Sequence, residues 1–163
     1  MREPYKTIIR ALLKALKNTL GDKLVSLVVF GSVARGEARK DSDIDLLIIA
    51  QDLPKSKLAR QDLFMKIEEK ITNMLEELEK EGYYIDFSPI LKTPKEALRL
   101  SPLYLDMVDD AVIVFDKNSF FEKILKRLNE KLKALGAQRV RLGKKWYWRL
   151  KEKYKLGEVI SIE

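Results

Sequence analysis

Residues 30–47 read Phe-Gly-Ser-Val-Ala-Arg-Gly-Glu-Ala-Arg-Lys-Asp-Ser-Asp-Ile-Asp-Leu-Leu and concentrate residue types that can do chemistry. Gly31 follows a short apolar run rich in Val, and without a Cβ its backbone can approach a ligand closely. Ser32 adds a hydroxyl, and amides opening a helical turn at that point would face an anion. Phosphate contact at Gly31 and Ser32 is the chemistry these types allow. After ten intervening residues, Asp43-Ile44-Asp45 heads a second apolar run. Alternate strand residues share a face, so Asp43 and Asp45 are expected roughly 6.5–7 Å apart at Cα. Paired carboxylates there are costly unless neutralised. A hard cation such as Mg²⁺, bridging to a nucleoside triphosphate, would neutralise them.

A third acid is available in Asp86. An extended 83–90 places Tyr84, Asp86 and Ser88 on one face, with Ile85 and Phe87 on the other. Beside Asp43 and Asp45 it would complete a three-carboxylate site for two Mg²⁺ ions about 3.5–4 Å apart. Asp86 could also take the proton of an attacking hydroxyl. Plainer readings exist: Gly31-Ser32 as a turn with a capping serine, the Asp43/Asp45 pair as solvated, Asp86 as an edge-strand surface residue. Arg35 stays open between a phosphate, a protein acceptor and a neighbouring carboxylate. Asp41 reads as a turn residue and Lys40 as solvated.

The elements that must position these residues follow from hydrophobic period. Tyr5, Ile8, Ile9, Leu12, Leu13, Leu16 and Leu20 share one helical face over 3–20. Apolar runs at 25–30 and 44–50 predict strands covered on both faces. A single long helix is expected over 55–81, stopped by Gly82. The strand over 83–90 contains Pro89, which confines it to an edge or a terminus. Short helices are expected at 94–100 and 102–110, a strand at 111–115 and a helix from Ser119 to Gly136. Alternating strands and helices imply one α/β (α+β) domain: a mixed sheet of about four strands with helices packed on it. The expected division is a core over 1–116 and a C-terminal helix with a basic extension over 117–163.

Composition narrows the chemistry. Among 163 residues there is no Cys and no His, which excludes disulfides, Cys/His zinc sites, thiol nucleophiles and imidazole-based triads within this chain. The net charge of +7 is uneven. Residues 1–116 hold 18 basic and 20 acidic residues, whereas 117–163 hold 14 and 5. In that tail, Arg139, Arg141, Lys144, Lys145, Arg149, Lys151, Lys153 and Lys155 interleave with Trp146, Tyr147, Trp148 and Tyr154. Such a pattern can grip nucleic acid over 139–155, but packing on the core or on a partner protein is favoured. No apolar run reaches the ~18 residues of a membrane span, and no signal-peptide pattern is present, so a cytoplasmic protein is expected.

Gly31-Ser32, Asp43-Ile44-Asp45 at fixed spacing, and Asp86 on a later strand resemble the polymerase-beta nucleotidyltransferase superfamily. The fuller 31–47 string is similar to the minimal nucleotidyltransferases, the MNT proteins. The resemblance covers about residues 5–116 and implies a polymerase-beta-like fold. It implies that Gly31 and Ser32, with Arg35 beside them, bind the triphosphate, and that Asp43, Asp45 and Asp86 hold magnesium. It further implies transfer of a nucleoside monophosphate, most often AMP from ATP, to a hydroxyl. In MNT proteins the acceptor can be a tyrosine of a HEPN-type toxin, which the modification silences. A catalytically silent partner-binding antitoxin and an enzyme acting on RNA ends are the alternatives. Oligomeric state, homo-oligomer included, stays open.

Overall fold

The computed structural model describes residues 1–143 and 145–163. Lys144, one of the basic tail residues, lies outside the described residues. A four-stranded mixed sheet has the order β3-β2-β1-β4, built from β1 (Leu24–Phe30), β2 (Ile44–Ala50), β3 (Phe87–Lys92) and β4 (Val112–Asp116). β1 runs antiparallel to both β2 and β4, and β2 runs parallel to β3. This is the expected α/β architecture with about four strands. β1 is buried throughout and β2 nearly so, as their uninterrupted apolar runs require.

Both faces of the sheet are covered. On one, α1 (Tyr5–Leu20) and α3 (Lys57–Glu68) bury Ile8, Leu12, Leu16, Phe64 and Ile67 against Leu27, Val29, Leu46 and Ile48. On the other, α6 (Phe120–Leu135) buries Phe121, Ile124, Leu128 and Leu132 against Val28, Leu47 and Ile49. Ser26, buried in β1, donates its hydroxyl to Asp116 at 2.6 Å. The same carboxylate accepts the backbone N–H groups of Phe121 and Glu122, both at 3.0 Å, and so caps α6.

Three local expectations change. The long helix over 55–81 is two helices, α3 and α4 (Thr72–Lys80), separated by a 3-10 turn at Glu69–Ile71. Ile71, at φ −117° and ψ 7°, leaves the helical region, and the poor helix formers Ile, Thr and Asn follow one another there. The third strand begins at Phe87 rather than at residue 83, because its ladder with β2 starts only at the Ile44–Phe87 pair. Before it, Tyr84 N–H donates to Lys40 O and Ile44 N–H to Asp86 O, each at 2.8 Å, tying 84–86 to the loop ahead of β2. Pro89 does lie on an edge strand. The short helices after β3 shrink to α5 (Pro94–Ala97) and a 3-10 turn at Pro102–Asp106.

The region beyond residue 137 forms an antiparallel hairpin of β5 (Gln138–Leu142) and β6 (Lys145–Arg149), where no element was expected. Trp148 packs into the α6 side of the core and donates its indole N–H to Leu105 O at 2.9 Å. Arg139 bridges Asp109 at 3.5 Å and Asp110 at 2.5 Å, and its guanidinium lies 4.5 Å from the Trp146 ring centre. No helix among the described residues is long and apolar enough to cross a membrane.

Candidate active site

The end of β1 meets the start of β2 at the Phe30–Asp45 pair, so Gly31 and Asp45 are brought together by the sheet register. At that point the chain turns straight into α2 (Gly31–Arg35). Gly31 adopts φ +70°, and a Cβ placed on it would lie 2.2 Å from Asp45 Oδ2. The glycine is therefore required twice, by backbone conformation and by the carboxylate pressed against it. Ser32 is not the capping residue of α2. Phe30 holds that position, without a side-chain cap, and the Ser32 hydroxyl makes no hydrogen bond among the described residues.

Asp45 is half-buried and Asp43 exposed. Asp45 shares its sheet face with Leu47 and Ile49, which belong to the α6-side core, while Ile44 and Leu46 face α1. Burial, then the charge of Asp43, push the Asp45 carboxyl above the ordinary range; Arg35 opposes this and Asp106 adds to it. The charges of Asp43, Arg35 and Asp106 thus all act on Asp45. Arg35 donates to Glu37 at 2.9 Å. Lys40 donates to Glu81 O at 3.1 Å and lies 4.7 Å from the Tyr83 ring centre.

Asp86 directly precedes Phe87, as Asp43 precedes Ile44, just ahead of the first parallel pair, and its side chain is exposed. Its carbonyl is bonded to Ile44 N–H, but its charge acts on Glu68 of α3, whose carboxyl is raised first by burial and then by Asp86. Among the described residues no three acidic side chains close around a single point. Asp43 acts on Asp45, and Asp86, just ahead of the adjoining strand, stands outside that pair.

Asp106 was not foreseen, because a lone Asp in a segment without strand or motif spacing carries no signal. It ends the 3-10 turn that Tyr104 anchors from within the core. The Tyr104 hydroxyl donates to Ala97 O at 3.0 Å, and burial pushes its pKa up to about 12. The hairpin reaches the same turn through Trp148 and Leu105 O.

The donor set is all hard oxygen, two carboxylates repel across one strand face, and a glycine leaves room at their side. Such a set suits Mg²⁺ with a phosphate ester better than any softer metal.

The nucleotidyltransferase domain family model matches residues 9–105. A protein of Methanocaldococcus jannaschii named "Putative protein adenylyltransferase" is 33% identical over 141 residues, covering 85% of this chain and 90% of its own length. Protein adenylyltransferase MntA of Thermococcus cleftensis is 38% identical over 52 residues, 32% of this chain and half of its own. Among solved structures, a chain of a toxin–antitoxin crystal structure with AMP-PNP is similar at a TM-score of 0.48 and 19% identity, covering 78% of this chain and 91% of that one. Gly31, Ser32, Asp43, Asp45 and Asp86 all fall inside the matched 9–105 segment, whereas α6 and the hairpin lie beyond it.

Proposed function

The chain belongs to the nucleotidyltransferase domain family, and from that premise we propose that it transfers AMP from ATP to a hydroxyl of a partner protein. One observation carries the reading: the Gly31 backbone closes on the Asp45 carboxylate, which sets the turn proposed to bind phosphate against the acid pair proposed to hold metal. The 33% identical relative, matched over nine-tenths of its length, supports adenylyl transfer and a protein acceptor.

In this reading the Gly31 backbone and the Ser32 hydroxyl hold the triphosphate, with Arg35 at the rim. Asp43 and Asp45 would hold Mg²⁺, with Asp86, just ahead of β3, as the third carboxylate available to a second ion. The metal would offset the triphosphate charge and polarise the α-phosphate. The acceptor oxygen attacks the α-phosphorus as the bond to the bridging oxygen breaks. Pyrophosphate leaves, and the acceptor proton passes to the Asp86 carboxylate. The resemblance of residues 31–47 to the MNT proteins supports a tyrosine of a HEPN-type toxin as acceptor and an antitoxin role.

The Asp43→Asn, Asp45→Asn double variant tests the reading. Transfer of radiolabelled AMP to the co-purified partner is expected to vanish while the melting temperature is kept. Undiminished labelling by that variant overturns the assignment. Full protection of cells by it would favour a silent module acting by occlusion.

A further inference from the structure

At the far end of the sheet from Gly31 and Asp45 lies a second cavity, of about 510 Å³. Val25, at the start of β1, and Gln51, just past β2, mark its position. Five register steps along the strand separate it from the candidate active site, roughly 17 Å. Its volume falls in the range of small-ligand pockets, about 300–1,000 Å³.

The lining has two kinds of surface. Leu98, Phe120 and Ile124 give an apolar wall, and Lys117, Lys123 and Arg127 give three positive charges. Among the described residues, no Asp or Glu lines the cavity. Each cation spends one N–H on a backbone carbonyl: Lys117 on Asp22 O at 3.1 Å, Lys123 on Asn118 O at 3.1 Å, Arg127 on Leu98 O at 2.6 Å. None of the three meets a carboxylate among the described residues, although both signs of charge are plentiful on this chain. Gln51 and Asn118 also line the cavity and carry amides, which both donate and accept.

We propose that this pocket binds a nucleoside monophosphate, its base against the apolar wall and its phosphate among Lys117, Lys123 and Arg127. The lining suits a ligand with an apolar body, polar edges and an anion beside it. A mononucleotide has this form, whereas inorganic phosphate leaves the wall unused and a nucleoside leaves the cations unused. With no carboxylate in the lining, binding needs no divalent metal. That separates it from the Asp43/Asp45 crevice, and it stands whether or not the proposed transfer reaction is correct.

Calorimetric titration of the full chain with AMP in excess EDTA is the test. One site per chain is expected, kept by the Asp43→Asn, Asp45→Asn variant and weakened at least tenfold by Lys123→Gln with Arg127→Gln. Leu98→Glu, which sets a carboxylate on the rim, is expected to give the same loss and serves if the double variant melts early. Adenosine and inorganic phosphate titrated alone should each bind at least tenfold more weakly than AMP. No binding in EDTA, binding indifferent to all of these substitutions, or phosphate binding as tightly as AMP would each overturn the proposal.

Discussion

Gly31 is the residue on which the crevice depends. Its φ of +70° alone makes alanine unfavourable by about 1 kcal/mol. A methyl 2.2 Å from Asp45 Oδ2 cannot be accommodated unless the carboxylate swings away. Gly31→Ala is therefore expected to cut AMP transfer at least a hundredfold while lowering stability by only about 1–2 kcal/mol. Steady-state transfer assays beside urea unfolding measure both, and an active Gly31→Ala protein would refute the role given to this contact. The placement of Gly31, Ser32, Asp43 and Asp45 was legible in the sequence because they lie on a strand end, a turn and the next strand start, where spacing translates directly into distance. Asp86 was legible as a residue but not in its surroundings, since its exposed side chain acts on Glu68 across the edge of the sheet. Asp106 reaches the crevice only because Tyr104 pins its turn, a tertiary fact with no local signal.

Among the elements, the α3–β3–α5 corner rests on one ion pair with several anchors. Arg60 donates to Pro54 O at 2.6 Å and Leu91 O at 3.0 Å, and grips both oxygens of Glu96 at 2.8 and 2.9 Å. Glu96 also closes the capping box of α5 with Thr93. Its hydrogen bond to Arg60, with Thr93 contributing, brings the Glu96 carboxyl down from 4.5 to about 2. A lowered folded-state value stabilises the protein above the ordinary carboxyl range and stops doing so as pH falls through that lowered value. Glu96→Gln should accordingly be less stable than wild type at pH 7 by about 1 kcal/mol, allowing for solvent screening. The gap should shrink below about pH 4.5 and close near pH 2, as read from urea unfolding across that window. A gap independent of pH would show that shape, not charge, matters at this corner. Element type was legible where an apolar stripe meets one covered face, as in α1, β1, β2 and α6. The hairpin was not, because Arg139 and Arg141 share a face with Trp146 and Trp148, leaving no hydropathy alternation to read.

Across the whole molecule, charge and ligand are arranged along the sheet. The segment over 1–116 carries a slight acidic excess, 20 against 18, while the basic excess of 117–163 folds back as α6 and the hairpin. The hairpin is fastened at Leu105, next to Asp106, whose charge acts on Asp45. The crevice itself is unfavourable when empty, because Asp45 must be charged against its own burial and against Asp43 and Asp106. A triphosphate carried with magnesium relieves that repulsion, whereas a triphosphate alone adds to it. Saturating Mg²⁺ and ATP together should thus raise the melting temperature. At a hundred times the dissociation constant the gain is about 2.7 kcal/mol, or roughly 5–10 °C for a chain of this size. ATP with EDTA should give a clearly smaller shift, and the Asp43→Asn, Asp45→Asn variant should lose the magnesium-dependent part. Differential scanning calorimetry of the three samples separates these cases. An equal rise with and without metal would move the nucleotide away from the acid pair.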